Sequence, residues 1–434
     1  MLEAITLFIF ISTLLIAVFI GAPIYIALLI NLVLLCMYSK YRNYNIKEIC
    51  NMILIGIKDI KMILVVFSSI GMITGIWRLS GTISYIIYHG VTLIKVDYFY
   101  VGIFVFNSII SFLTGTSFGT ASTAGIISMS ISNAMGFNPI ISGGAILSGC
   151  FFGDRSSPLS TSALLVANLT ETDLITNLKN MLRTAIIPFI LTIITYQLFN
   201  IRAEAVIDVH SIEAIADIFN FHWSLLIPTI IIIALSIAKV PLIITLIISI
   251  IISIFLAIGL QNSSSVEILR TLIFGFHTNS PAGNLINGGG FMSMINMHII
   301  VGISSAYFGF FKHTPILNPI KKFVNWVFTK LPPMFVMVIL SIVISTFSSN
   351  QTLSVMLTYE MARTNIKNKY KLALYLENSA IMTATYIPYN IAGRTPIEMI
   401  GAPIVSLYTA IYIHYIVVVN TIVSSINYYK NKNW

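Results

Sequence analysis

The stretch "GCFFGDRSSPLSTS", residues 149–162, sets one carboxylate, Asp154, between an apolar run and a proline that is followed by hydroxyl side chains. An acid at membrane depth costs about 2.5–3.5 kcal/mol on insertion scales, and such residues usually face a cavity that serves ions or protons. Pro158 would free a backbone carbonyl because it removes a helical N–H partner. The stretch therefore predicts a membrane helix that is interrupted beside an ion-exchanging carboxylate.

Simpler roles fit the same residues. Asp154 could pair with Arg155 or cap a helix that begins at Ser156, and Pro158 could act only as a hinge. The ion-binding hypothesis gains from the neighbouring hydroxyls, because an ion that has lost its water shell needs oxygen ligands in its place. The hydroxyl donors near Pro158 are Ser156, Ser157, Ser160, Thr161 and Ser162.

Composition indicates an all-α membrane protein. Hydrophobic residues make up 57 % of the 434 positions and charged residues 9 %, against about 25 % charged residues in soluble domains. At about 20 apolar residues a span, the chain allows roughly ten to twelve transmembrane segments. The net charge of +9 does not indicate nucleic-acid binding, since the basic residues lie in short loops between apolar runs. Three cysteines without metal spacing argue against a disulfide framework or zinc site.

Two kinds of segment alternate along the chain. Membrane helices are predicted for the apolar runs 4–20, 22–38, 61–77, 98–114, 183–199, 223–238, 240–260, 292–311, 333–347 and 402–426. Between them lie mixed segments rich in Gly, Ser, Thr and Asn, at 114–132, 142–168, 278–292, 346–361 and 376–401. Such segments are too polar for lipid and too apolar for loops, so we expect broken or re-entrant helices buried in protein.

The chain reads as two related halves, 1–200 and 222–434, joined by a linker at 201–221. "FIGAPIYIALLI" and "IAKVPLIITLII" each join two spans through a proline, "NMILIGIKD" (51–59) resembles "RTLIFGFHT" (270–278), and Pro158 aligns with Pro388. Any one of these matches is weak, but the three keep their order. The sequence thus predicts two structural repeats.

Loop charge predicts that the repeats have inverted topology. The segment 39–61 carries five basic residues, whereas its counterpart 261–280 carries only Arg270, and the linker is acidic through Glu204, Asp208, Glu213 and Asp217. Basic loops stay in the cytoplasm. We therefore expect a cytoplasmic N-terminus in the cell inner (plasma) membrane, with the site near the midplane between discontinuous helices.

Further candidate residues occupy the other mixed segments. "LTGTSFGTASTAG" (113–125) offers Gly115 and Gly119 as helix breaks and Thr116 and Ser117 as oxygen ligands, although small-residue helix packing would also explain it. In the second half, "LENSAIMTATYIPYNIAG" (376–393) contains a break at Pro388 and the candidate ligands Glu377, Asn378 and Asn390. Arg155 and Arg394 are possible counter-charges for an acid or for an anionic substrate.

These motifs together resemble those of the NhaC family of sodium/proton antiporters. "GTSFGT" (115–120), "FGDRSSPLSTS" (152–162), "LENS" (376–379) and "IPYN" (387–390) match the family's signatures in order over nearly the whole chain. The resemblance implies Na+/H+ exchange on a scaffold of inverted repeats and broken helices. Thr161, Asn350 and Asn378 stand where the family usually has carboxylates, which removes titratable sites while keeping oxygen donors.

The sequence therefore predicts a secondary transporter and not an enzyme, since no Ser–His–Asp pattern, nucleotide motif or redox CxxC is present. Our first hypothesis is Na+/H+ antiport by alternating access with no cofactor. Asp154 would exchange the ion, and Ser157, Ser160, Thr161, Thr116 and Ser117 would complete its shell. The alternative is a transporter of a small organic acid or amino acid, and a channel or non-transporting scaffold is the third reading.

Overall fold

The computed structural model describes residues 2–93, 95–203, 209–348 and 350–432, and in these residues the chain is helical apart from turns and one bridge between Phe276 and Gly288. The helices of the first half are α1 Leu2–Phe19, α2 Ile24–Tyr41, α3 Ile46–Asp59, α4 Lys61–Leu79, α5 Thr82–Leu93, α6 Phe99–Thr114, α7 Ser117–Thr120, α8 Ile126–Ala134, α9 Pro139–Ser156, α10 Thr161–Thr170 and α11 Leu174–Ile201. A π-turn, Ala121–Gly125, joins α7 to α8.

The second half continues the same numbering. Its helices are α12 Val209–Ile218, α13 Ile227–Ile237, α14 Leu242–Gly259, α15 Ser265–Phe274, α16 Gly283–Ile286, α17 Ile295–His313, α18 Asn318–Phe328, α19 Pro333–Ser348, α20 Gln351–Ala362, α21 Lys369–Asn378, α22 Ala380–Thr383, α23 Ile391–Met399 and α24 Ile411–Lys432. Helix α12 occupies part of the predicted linker, whose acids Glu204 and Asp208 lie outside the described residues.

All ten predicted apolar runs lie on helices, and the chain is a multi-pass membrane protein. Within the described ranges, seven helices are long and apolar enough to cross a membrane, or eight if the pair Ile212–Ile218 and Trp223–Ile237, bent by 110°, forms one span. The shorter apolar helices Leu2–Ala17 and Pro333–Ser348 add to these. Fewer helices qualify than the ten to twelve spans expected, because the mixed segments are divided into shorter helices such as α7, α8 and α10.

Apolar helices surround the broken ones. On α11 the side chains of Ile186, Ile187, Ile190 and Ile194 are all more than half exposed, as they would be toward lipid. Helix α9, in contrast, is buried from Ser142 through Phe151 and again from Gly153 to Ser156. Its small residues let α6 pack closely against it. The polar segment that carries Asp154 therefore lies at the centre of the molecule.

Several helices of the two halves match in length or spacing. Helices α4 and α17 are both 19 residues long and begin 234 residues apart, and α6 and α19 are both 16 residues long with the same separation. Helices α9 and α21, and likewise α10 and α23, begin 230 residues apart. Local sequence thus produces matching break points in each half.

Packing between the halves is reciprocal. Helix α3 packs on α17, and the corresponding helix α15 packs on α4. A Cβ atom on Gly309 would meet the backbone of Met52, and one on Gly75 would meet the backbone oxygen of Thr271 at 2.8 Å. Mutual contacts of this kind are what a two-fold axis produces between equivalent surfaces.

One surface of the molecule collects most of the loops with positive charge, and we call it the basic face. Arg42 pairs with Glu3, Tyr44 donates a hydrogen bond to the His313 carbonyl (2.9 Å), and the loop after α20 is joined to α18 through their asparagine side chains. The basic residues of these segments include Lys40, Lys47, Lys179, Lys312, Lys321, Lys330, Arg363, Lys367, Lys369 and Lys371. The N-terminal end of α1 lies on this face.

Candidate functional site

Two helix breaks meet in the first half. Helix α6 ends at Thr114, and the residue that follows it, Gly115, has a φ of +71°, which suits glycine. Thr116 then caps α7 by accepting a hydrogen bond from the Gly119 amide (3.0 Å). The second break contains Pro158 and separates α9 from α10, which Ser160 caps. Gly119, predicted as a break, lies inside α7 instead.

The first two breaks touch each other. A Cβ atom on Gly115 would approach the Leu159 carbonyl carbon to 2.5 Å, so only glycine fits beside that loop. Ser157 donates a hydrogen bond from Oγ to the Phe112 carbonyl (2.6 Å), which α6 leaves free near its end. The sequence predicted Ser157 as an ion ligand, but here its hydroxyl joins the two broken helices.

The second half repeats this arrangement. Asn350 caps α20 by accepting from the Leu353 amide (2.8 Å), and Asn390 caps α23 two residues after Pro388. Asn390 also donates to the Ser345 carbonyl on α19 (3.2 Å). These caps use the side-chain oxygens of Asn350 and Asn390, and their structural role explains why polar residues stand at these positions.

Asp154 lies in the last turn of α9 and is only 4 % exposed. One carboxylate oxygen faces the Ser117 amide at 3.4 Å, and the other accepts from Ser162 Oγ (3.3 Å) and Gln351 Nε2 (3.1 Å). Within the described residues, no Lys, Arg or His forms an ion pair with it. Neutral donors from three helix starts thus hold this buried carboxylate.

Gln351 connects the two halves at this carboxylate. It is the first residue of α20, and its Nε2 also donates to the Ile381 carbonyl on α22 (3.2 Å), while its Oε1 faces Ser162 Oγ at 3.5 Å. The side chain therefore bridges Asp154 to the break that follows α21. The predicted ligand set contains neither Gln351 nor Ser162, although both stand in the first turn after a capping residue.

Arg155 is fully buried, and it turns away from Asp154. Its four terminal N–H bonds go to neutral oxygens: the Ser156 hydroxyl (3.2 Å), the Met181 carbonyl (3.1 Å), the Thr184 hydroxyl (2.8 Å) and Asn378 Oδ1 (2.5 Å). Its Nε is buried and has no hydrogen-bond partner among the residues that the structure describes. Arg155 is thus a fixed positive charge, and it occupies the oxygen of Asn378 that was predicted to bind an ion.

Glu377 is the second buried carboxylate, next to Asn378 at the end of α21. It is 0 % exposed, and neither of its oxygens has a hydrogen-bond partner among the described residues. Burying a charge without partners is far more costly than burying a neutral group. A proton on Glu377 or a nearby positive charge would offset this cost, and Arg155, which bonds the neighbouring Asn378, carries such a charge.

Two predicted contacts do not form. Arg394 pairs with Glu398 (2.8 Å) and donates to the Pro388 carbonyl, so it does not neutralise Glu377 as the sequence suggested. Arg394 pairs with Glu398 rather than Glu377 because residues four apart on α23 lie on the same face of the helix. The Thr161 side chain is exposed and lies apart from the buried Asp154 oxygens.

The site thus contains two acids, one fixed guanidinium and several hydroxyl and amide oxygens. Within the described ranges no three His, Cys, Asp or Glu side chains converge as in a resident metal centre. The buried Asp154 carboxylate, held by neutral donors beside helix breaks, is the kind of group that serves ions or protons in membrane proteins.

The chain is similar to several known antiporters. A model of the Na+/H+ antiporter family matches residues 149–427, which include Asp154, Gln351 and Glu377. The chain is 27 % identical to the malate-2H+/Na+-lactate antiporter of Bacillus subtilis over 70 % of its own length and 66 % of that relative, just under two thirds. It is 23 % identical to the Na+/H+ antiporter NhaC of Alkalihalophilus pseudofirmus (88 % and 85 % covered) and 24 % identical to the arginine/ornithine antiporter of Halobacterium salinarum (82 % and 76 %).

Proposed function

The chain belongs to the Na+/H+ antiporter family, and on that premise we propose that it exchanges Na+ for H+ across the cell inner membrane by alternating access at Asp154. One observation carries the proposal. Asp154 is buried at the meeting point of three helix breaks, with hydrogen-bond donors around it and, among the described residues, no basic side chain in an ion pair with it. A carboxylate in this position needs a mobile cation or proton to offset the cost of burying its charge.

The buried charges favour a cation as cargo. When Asp154 and Glu377 are both ionised, Arg155 cancels one of the two negative charges and leaves one over. A single Na+ or a single proton makes the group neutral, and both together would make it positive. Because a net charge is costly in a buried site, binding of Na+ should disfavour binding of H+, and the reverse, even where the two occupy different oxygens.

We propose that residues 1–200 and 222–434 form two inverted repeats around this site. The matched helix lengths, the reciprocal packing of α3 with α17 and of α15 with α4, and the paired caps at Thr116 and Asn350 support two repeats. The basic face would be cytoplasmic under the positive-inside rule, and the Arg42–Glu3 pair would then hold the N-terminus inside.

Exchange of an organic acid or amino acid, as in two of the relatives' names, is the second candidate. The geometry speaks against it here. The terminal N–H groups of Arg155 are all engaged with protein oxygens, and Arg394 is engaged with Glu398, so neither offers the free fork that binds a carboxylate.

An assay in everted membrane vesicles tests the proposal. Addition of Na+ to vesicles with an acidic interior should release the pH gradient in a saturable way, and lowering the pH should raise the Na+ concentration needed for half-maximal rate. A pH gradient that responds to an organic acid or amino acid but is indifferent to Na+ would replace this function with the second candidate.

A further inference from the structure

A cavity of about 420 Å3 lies beside the Asp154 site, among α3, α17, α20 and α23. Its lining includes Gly56 on α3, Phe308 on α17, Met356 on α20 and Ala392 on α23. The exchange mechanism of Asp154 does not account for this space. Its size exceeds that of one hydrated ion, since one water takes about 30 Å3 of liquid volume.

Two of the residues that line the cavity lie next to Asp154. Gln351 contacts it directly, and Phe118 follows a residue that does. Gln351 Nε2 donates to Asp154 at 3.1 Å, and the amide of Ser117, the residue before Phe118, faces the other Asp154 oxygen at 3.4 Å. Asp154 itself lies behind these two residues and is almost fully buried.

The outer end of the cavity points to the basic face. Phe308 lies five residues before His313, the last residue of α17, and the His313 carbonyl accepts a hydrogen bond from Tyr44. Met356 lies halfway along α20, which begins at Gln351 and ends at Ala362, just before the loop tied to α18. A path from Met356 to Gln351 therefore runs from the basic face toward the centre of the molecule.

We propose that this cavity is the route by which Na+ reaches Asp154 from the basic face, and that the Gln351 side chain is the gate that closes it. The proposal rests on the proposed exchange function and adds the entry path and the residue that controls it. Gln351 acts as a positioning residue, because it closes the path and holds Asp154 from the second half of the chain.

The amide chemistry of Gln351 suits a gate. Closing the path gives Nε2 two acceptors, Asp154 and the Ile381 carbonyl, while Oε1 faces Ser162 Oγ. Rotating the side chain into the cavity frees the Asp154 oxygen and exposes the amide oxygen, which is a ligand that a hard cation accepts. Because one of the two lost hydrogen bonds is to a carboxylate, the open state should be a minor one in the absence of Na+.

Cysteine labelling tests the gate directly. Cys36, Cys50 and Cys150 are first replaced, and the parent's Na+/H+ exchange is recorded. A single Ser162→Cys then places a thiol behind the gate, Thr352→Cys places one in the cavity, and Leu54→Cys provides a lipid-facing control on α3. A charged, membrane-impermeant thiol reagent is applied to each face of the membrane in turn.

Thr352→Cys should react from the basic face only, and Leu54→Cys and Ser162→Cys should react slowly from either face. Adding Gln351→Ala to Ser162→Cys should raise its reaction rate from the basic face roughly tenfold or more, as expected for the loss of two closing hydrogen bonds. Thr352→Ala, which lines the cavity without touching Asp154, should leave that rate unchanged. If Gln351→Ala does not fold, Gln351→Ser removes the same contacts.

The gate is refuted if neither Gln351 variant speeds the labelling of Ser162→Cys, if Thr352→Ala speeds it equally, or if Thr352→Cys reacts from the opposite face. If the cysteine-free parent exchanges Na+ for H+ but the Gln351 variants do not change the labelling, the gate is refuted and the proposed function stands. A parent without Na+/H+ exchange that still shows the labelling pattern would defeat the proposed function while keeping the cavity and its gate.

Discussion

Replacement of Asp154 by asparagine should abolish Na+/H+ exchange while leaving the fold intact. The change keeps the size of the side chain but removes the charge that a cation would meet. Two unit charges 4 Å apart interact by about 4 kcal/mol at an effective dielectric constant of 20, so the Na+ affinity should fall by about 1,000-fold. At any practical Na+ concentration the variant should therefore show no exchange.

The surrounding contacts predict that Asp154→Asn will fold. Ser162 and Gln351 are neutral groups, and both can turn to satisfy an amide in place of a carboxylate. The matched control is Asp173→Asn, the same chemical change at an exposed cap of α11, where asparagine serves equally well. It should exchange at the parent rate.

The measurement is the Na+-dependent collapse of a pH gradient in everted vesicles, with thermal stability and the size-exclusion profile of the purified protein as folding readouts. A variant that is monodisperse, as stable as the parent and inactive would support the role of Asp154. An Asp154→Asn protein that exchanges Na+ at the parent rate would remove this carboxylate from the mechanism and with it the account given above.

Four other perturbations have definite expected outcomes. Gly115→Ala should destabilise the protein by about 1–2 kcal/mol, since residue 115 has φ +71° and its Cβ would press on Leu159. The control Gly102→Ala, on the helix that ends just before Gly115, should be neutral or stabilising because no atom lies within 4 Å of the added Cβ. Thermal unfolding compares the two variants. Arg155→Lys should cost about 3 kcal/mol, since an ammonium cannot keep all four bonds of the guanidinium fork, and an unchanged melting temperature would contradict this. Exchange in proteoliposomes should be insensitive to an imposed membrane potential, because the buried group of Asp154, Glu377 and Arg155 balances one Na+ against one H+; a rate that follows the potential would exclude this stoichiometry. Finally, the Lys369 ammonium lowers the pKa of Glu171 through a hydrogen bond and its charge, and Glu171 raises the pKa of Lys369 in the same way. The small stabilisation from this pair should be fully present between the unfolded pKa values, about 4.3 for Glu and about 10.4 for Lys, and it should be lost as pH falls through the depressed pKa of Glu171 or rises through the raised pKa of Lys369. Glu171→Gln should therefore change the melting temperature only inside that pH window.

Sequence reasoning located the ten apolar helices and the mixed segments that break them, and it singled out Asp154 and Glu377 as acids at membrane depth. Each of these signals is local: a run of apolar residues, a proline between polar neighbours, or a carboxylate where lipid would be expected. The division into two repeats also comes from the sequence, and it stays a prediction that the matched helix lengths support.

Which oxygens surround Asp154 was decided by the tertiary structure alone. Several predicted ligands have other partners instead. Thr116 and Ser160 cap helices, Ser157 bonds the Phe112 carbonyl, and Asn378 accepts from the Arg155 side chain. A hydroxyl or amide near a helix break has two uses, capping and ligation, and the sequence does not say which one its neighbours require.

The contact between Asp154 and Gln351 shows the same limit at longer range. The two residues are 197 positions apart, and they meet because two broken helices from different halves pack against each other. Local sequence determines that each helix breaks, since a proline or a capping residue acts on its own turn. The partner across the break depends on how complete helices pack, and only the folded chain brings those surfaces together.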